Sequence, residues 1–190
     1  ETMPIRFFYI AFFSIISIVY QPCLAGPVTQ TPPWAIGIDA NLPYTISVDQ
    51  SNISERAPMT LGLDFRRFTN NHLNVGIRIE MDIEDMPGRP FALGLRPGVQ
   101  YYWLQGGHWM PFARADFPFL VRGAFHPDGK KQQDFGLALG AGLAWNIGNQ
   151  AGLPNVLLRY DFGAQYLFGF GETLATFSLD FLKIGVEYRF

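Results

Sequence analysis

The chain is poor in cysteine, in clustered charge and in long apolar runs. Cys23 is the one cysteine among 190 residues. It lies in the N-terminal segment treated below, and a chain without that segment could form no disulfide, cysteine–zinc site or thiol nucleophile. Lys and Arg number 14 against 16 Asp and Glu, a formal net charge of -2, with no block of one sign. That balance gives no nucleic-acid footprint and no acidic or basic tail. No apolar run reaches the roughly 20 residues of a membrane-spanning helix. Beyond residue 33 no long stretch keeps a helical period.

Two residue classes are abundant instead. Aromatics make up 16% of the chain, and many of the 20 glycines sit inside apolar stretches rather than between them. Soluble domains rarely combine the two. A membrane barrel does, because aromatics meet the lipid headgroups while glycines make room in a narrow lumen.

The N-terminus reads as a targeting segment. Met3 is taken as the start, with Glu1 and Thr2 as an upstream remnant. Arg6 supplies a positive n-region, Phe7 to Tyr20 an apolar core, and Gln21-Pro22 a break. Cys23-Leu24-Ala25 then places small residues at −3 and −1 of a cut before Gly26. A membrane anchor would need a longer run. An acylated Cys23 would need other residues than Tyr20 and Pro22 ahead of it. The expected organisation is a signal peptide over 1–25, a Pro/Thr-rich periplasmic lead over 26–33, and a barrel over 34–190.

Period-two alternation dominates the remainder. Leu73, Val75, Ile77, Ile79, Met81 and Ile83 alternate with Asn74, Gly76, Arg78, Glu80 and Asp82, and this is the cleanest case. Comparable segments begin at Trp34, Met59, Phe91, Trp109, Phe135 and Val156, and a last one ends at Phe190. In that last segment Phe177, Leu179 and Phe181 are out of phase with Ile184, Val186 and Tyr188. A bulge near Leu182, or a loop ending there, accounts for the change. The expected fold is all-β: an eight-stranded antiparallel up-and-down transmembrane barrel. An even count returns both ends to one side, and closure leaves no unpaired edge in lipid.

A soluble lipocalin-like barrel would share the alternation with opposite polarity. Side-chain volume favours the membrane form. One face is large and apolar, whereas the other is mostly Gly, Ala and charged residues, too small for a soluble core. Trp34, Trp103, Trp109 and Trp145 all fall at the proposed periplasmic strand ends with outward parity, as an aromatic girdle would. Tyr44, Phe91, Phe135 and Phe168 mark the other end. Short turns after the second and fourth strands and longer opposite loops give the same orientation.

The last eight residues, Lys183-Ile184-Gly185-Val186-Glu187-Tyr188-Arg189-Phe190, resemble the C-terminal β-signal of outer-membrane proteins. The pattern's polar, glycine, hydrophobic and terminal aromatic positions fall on Lys183, Gly185, Tyr188 and Phe190. The chain after its signal peptide is also similar to the small OmpA/OmpX-like barrel superfamily in length, strand count and Gly-rich strands such as Leu139-Gly140-Ala141-Gly142-Leu143. The resemblance implies a bacterial outer-membrane location and assembly by the barrel-assembly machinery with periplasmic chaperones. The expected surroundings are outer-membrane lipid and lipopolysaccharide, with a monomeric protein and no nucleic acid. Fold resemblance alone assigns no function.

Parity sends Asp39, Asp64, Glu80, Asp82, Asp116, Asp161 and Glu187 inward, with Arg66, Arg78, Arg96, Arg114, Arg122, Arg159, Lys183 and Arg189. A selective pore usually carries a ring of one sign, whereas balanced charges can pair into a plug. The network core is expected at Asp39, Asp64, Arg78, Arg96, Arg114, Asp116, Arg159 and Asp161. The leading expectation is a non-enzymatic barrel serving envelope integrity or surface interaction, with a salt-bridged lumen. A narrow or gated porin-like channel comes next, and a lipid A-modifying enzyme third. His72 and His108 fall in periplasmic turns and His126 in a loop, with no His-x-Ser-Asn motif such as lipid A deacylases carry. No metal constellation, phosphate loop or cofactor motif is visible.

Overall fold

A computed structural model describes residues 33–42, 47–49, 52–54, 59–83, 91–104, 108–123, 132–147, 155–170 and 176–190. The segment expected as a signal peptide, most of the expected lead, Tyr44, His126 and the Gln105–Gly107 and Gly148–Pro154 segments lie outside those residues. The strands are β1 Trp34–Leu42, β2 Ser47–Asp49, β3 Asn52–Ser54, β4 Thr60–Phe68, β5 Leu73–Asp82, β6 Ala92–Tyr102, β7 Trp109–Asp116, β8 Phe119–Arg122, β9 Gln132–Asn146, β10 Val156–Phe170 and β11 Thr176–Arg189. β2 and β3 form a small separate hairpin. The rest make one antiparallel sheet in which β7 and β8 together build the fifth stave, both pairing with β6 and β9.

The sheet closes because β1 pairs with β4 on one side and with β11 on the other. Ala35 faces Arg189 across that closing ladder and Leu42 faces Leu182. At its foot Trp34 and Phe190 exchange two backbone hydrogen bonds, of 3.1 and 2.9 Å. The result is an eight-stave barrel in which β1 begins and β11 ends at one rim. The longer strands exceed the roughly 9–11 residues that a tilted membrane strand needs.

The phase change in the last strand is a bulge. Asp161 pairs with Lys183, but Gly163 pairs with Asp180. One extra residue is thus accommodated on β11 between Asp180 and Lys183. This flips the parity of everything upstream, so Ser178 and Asp180 face inward while Phe177 faces out.

The polarity of the wall is that of a membrane barrel. Ile36, Ile38, Leu63, Phe65, Ile79, Leu95, Leu139, Tyr160 and Phe162 are exposed on the outside, while Asp64, Arg78, Arg114 and Asp161 are buried inside. In water that arrangement would solvate apolar surface and desolvate charge; in lipid only the interior charges need partners. Inward glycines create the space for them. A Cβ at Gly62 would run into the Arg78 guanidinium, one at Gly98 into the Asp116 carboxylate, and one at Gly185 into Asp39. Glycine on one stave thus lets a long charged side chain lie across from the next.

Candidate functional site

The lumen is where the chemically active side chains gather. Near mid-height Arg159 of β10 is the hub. Its guanidinium lies 3.0 Å from Glu187 and 3.6 Å from both Asp64 and Asp161. It also donates to the Gln100 Oε1 at 3.1 Å. Arg66 pairs with Asp64 at 3.0 Å and Arg189 with Glu187 at 2.9 Å. Arg114 bridges Asp161 at 3.2 Å and Asp116 at 2.6 Å.

Asp161 also lies 4.0 Å from the Lys183 Nζ, which stands 3.6 Å from Asp39. Asp39 accepts from Arg78. Arg78 lies 3.7 Å from Glu80, which in turn accepts from Arg96. Six acids and seven bases thereby join in one unbroken chain of contacts. Among the contacts of the described residues every stave but β9 contributes a member, and β9 offers glycines: a Cβ at Gly140 would meet Arg114.

The structure thus brings together Asp39, Asp64, Arg78, Arg96, Arg114, Asp116, Arg159 and Asp161, with Lys183 as a link between its two halves. Arg122 stands apart, nearer the loop end, half-buried and paired with Asp134 at 2.7 Å. A small void is lined by Gly37, Asp39, Asp64, Arg159, Asp161 and Gly185. Of the residues lining it, Asp64 Oδ2 and Arg159 Nε are buried without hydrogen-bond partners, as is the Lys183 Nζ nearby in the network.

Two features escape a reading by parity of charges alone. The first is two more inward acids. Asp180 is inward because of the bulge and accepts from the Asn41 amide at 2.9 Å, and Asp134 belongs to β9 rather than to a loop. The second is an apolar layer below the ion pairs, toward the rim where β1 begins and β11 ends. Ala35, Phe68, Tyr102, Met110, Phe112, Ala144 and Leu157 form one buried cluster there. The expectation that the inward face carries mostly Gly, Ala and charge is corrected at this level. The larger of these residues follow inward parity from a charged or polar neighbour: Phe68 from Arg66, Tyr102 from Gln100, Phe112 from Arg114 and Leu157 from Arg159. That parity was the available signal.

The two layers interlock. The Arg159 guanidinium lies over the Phe112 ring at 4.8 Å. Arg189 lies over Phe68 at 4.7 Å and Tyr102 at 4.8 Å. Such cation–π contacts gain strength where water is excluded.

On the outside, Trp34, Trp103 and Trp109 are about half exposed at this same rim. Trp145 is half-buried and stacks on Trp109 with centroids 5.3 Å apart. Phe135 and Phe168 stack at the opposite end, 5.4 Å apart. His72 shares a hydrogen bond of 2.8 Å between its Nδ1 and the Tyr102 carbonyl, a role in the turn rather than in chemistry, and His108 is exposed. Among the described residues no group of His, Cys, Asp and Glu is arranged to hold a metal ion. At the C-terminus, Lys183, Gly185 and Glu187 face the lumen, while Tyr188 and Phe190 face outward and stack on each other.

No protein-family model matches the chain, and no curated protein does. Solved structures do. The N-terminal β-barrel domain of Pseudomonas aeruginosa OprF aligns over 85% of this chain and 100% of its own, at 13% identity and a TM-score of 0.59. Neisserial surface protein A gives the same coverage of this chain, 99% of its own, 13% identity and 0.59. Ail, the attachment invasion locus protein of Yersinia pestis, aligns over 85% of this chain and 100% of its own, at 16% identity and 0.50. With its inverted polarity and closed eight-stave sheet, the chain has the fold of the small outer-membrane β-barrels.

Proposed function

We propose that this protein is a non-enzymatic barrel of the bacterial outer membrane that serves envelope integrity or surface interaction, with a lumen closed to ions. The observation that carries the reading is the double filling of the lumen: a continuous network of buried ion pairs above an apolar layer. An eight-stranded barrel is just wide enough for side chains to fill, so little room remains for a hydrated ion. Specificity then belongs to the loops and the outer rim. The surroundings that fit the wall are outer-membrane lipid and lipopolysaccharide, with the tryptophans at the periplasmic interface. The protein works as a monomer, delivered by periplasmic chaperones to the barrel-assembly machinery.

Refolded protein in planar bilayers is expected to show no steady single-channel current, and cells with and without it the same lipid A mass profile. Stable currents would replace this reading with a narrow channel. An altered lipid A profile would replace it with an enzyme.

The same reading takes Met3 to Ala25 as a removed signal peptide. N-terminal sequencing of protein extracted from the membrane is expected to begin at or near Gly26. A product that retains Arg6 would overturn this.

A further inference from the structure

We propose that the barrel wall has a built-in seam along its fifth stave, β7 and β8, where it opens locally toward the lipid without the barrel unfolding. The evidence begins with two prolines. In an antiparallel ladder, directly opposed residues exchange either two hydrogen bonds or none. Phe117 donates to the Pro97 carbonyl at 2.8 Å, so this is an exchanging pair. Pro97 has no N–H with which to return the bond. On the other side of the stave Gly136 donates to the Pro118 carbonyl at 2.9 Å. Pro118 cannot return that bond either.

Two neighbouring residues thus keep half of their pairing, one toward β6 and the next toward β9. This is where the stave divides, with β7 ending at Asp116 and β8 starting at Phe119. The division is not a bulge. Gly98 faces Asp116 and Leu95 faces Phe119, so the register runs through the gap unshifted. The sheet keeps its geometry and lacks two rungs. Trp103 and Pro111 repeat the pattern at the rim: the Trp103 N–H donates to the Pro111 carbonyl at 3.1 Å and Pro111 cannot reciprocate.

Proline in a strand normally occupies an edge or a bulge, and a closed barrel has no edge to offer. Water could satisfy the two carbonyls in a soluble sheet, but the bilayer core supplies none. On the lipid face the stave leading to the gap is thinly covered: Pro111, Ala113 and Ala115 point outward and are small, where β5 presents Ile77, Ile79 and Met81, and only at the gap itself do Phe117 and Phe119 face out. On the lumen side Pro118, Leu120 and Ala138 are buried at the gap, next to the paired Asp116 and Arg96. Opening the wall here breaks fewer hydrogen bonds than along a fully paired stave.

Hydrogen exchange on the refolded barrel in lipid nanodiscs tests this. Amides of 113–120 are expected to exchange at least about tenfold faster than those of 75–81 in β5, as for a local opening below the global one. Restoring both rungs with Pro97→Val and Pro118→Val should bring the two segments to similar rates. Equal protection in the wild type would overturn the seam whether or not the double variant folds. A second readout is Leu120→Cys, lumen-facing with all prolines intact. A lipid-soluble maleimide should label it from the bilayer in the background with native prolines, and much more slowly once Pro97→Val and Pro118→Val are added. Equal labelling in both backgrounds would count against the proposal.

Discussion

Arg159→Ala is expected to lower the barrel's stability by roughly 3–5 kcal/mol, the usual cost of removing one partner from a buried ion cluster, and to leave it as closed to ions as before. Three carboxylates, Glu187, Asp64 and Asp161, share this guanidinium. Without it they face one another with fewer cations between them. Arg66 still holds Asp64, Arg189 holds Glu187, and Arg114 and Lys183 hold Asp161. Those remaining contacts, and water entering the space, pull the cost toward the lower end of the range. Conductance does not follow stability, because the apolar layer of Phe68, Tyr102, Met110, Phe112 and Leu157 lies below the network and remains. Denaturant titration of refolded protein and planar-bilayer recordings of the same preparation check both halves. Ile77→Leu on the lipid face should change neither. Adding Tyr102→Ala and Phe112→Ala to Arg159→Ala should admit ions, since both fillings are then breached. Steady currents from Arg159→Ala alone would mean that the ion pairs are the whole barrier.

Much of this architecture was legible because a barrel wall constrains every second residue. In β5 a strict alternation from Leu73 to Asp82 assigns strand, parity and burial together, since a one-residue slip would expose Arg78 and Glu80 to lipid. The β11 bulge was legible for the same reason: Phe177 and Ile184 both need lipid and differ in parity. What parity could not supply is height and tilt. It sends Asp39 and Lys183 inward, but their 3.6 Å approach depends on how β1 and β11 lie side by side in the closed sheet. Asp180 lies upstream of the bulge, where the inward parity set by Lys183 and Gly185 no longer holds, so its position needs the ladder. The apolar layer was obscured by a different physical fact. Large apolar side chains on these strands usually face lipid, and Phe112 and Tyr102 look like wall residues until the parity of Arg114 and Gln100 is extended to them. The prolines were visible throughout. Their meaning required the ladder, which shows that Pro97 and Pro118 stand where a bond should be returned rather than at the positions between.

Deleting Phe190 is expected to abolish most outer-membrane insertion in cells while costing the refolded barrel little. The closing ladder of β1 and β11 ends at this residue, whose backbone exchanges two hydrogen bonds with Trp34. Those bonds lie at the rim, where water can replace them, so their net worth is about 1 kcal/mol each. The ring itself contributes modest packing, stacked on Tyr188 at 6.0 Å and 55% exposed. A side chain so open on the outer face is available to be read during assembly, and it occupies the terminal aromatic position of the β-signal pattern. Phe190→Ala separates recognition from closure, because it keeps both backbone bonds and removes only the ring. If the ring is read, Phe190→Ala should fail in cells nearly as badly as the deletion, Phe190→Trp should insert normally, and all three should refold in detergent. Heat-modifiable band shifts in membrane fractions and in refolding mixtures measure the two outcomes separately. Wild-type insertion of Phe190→Ala would reduce the residue to a closing rung, and a deletion that also fails to refold in detergent would place its role in the fold itself.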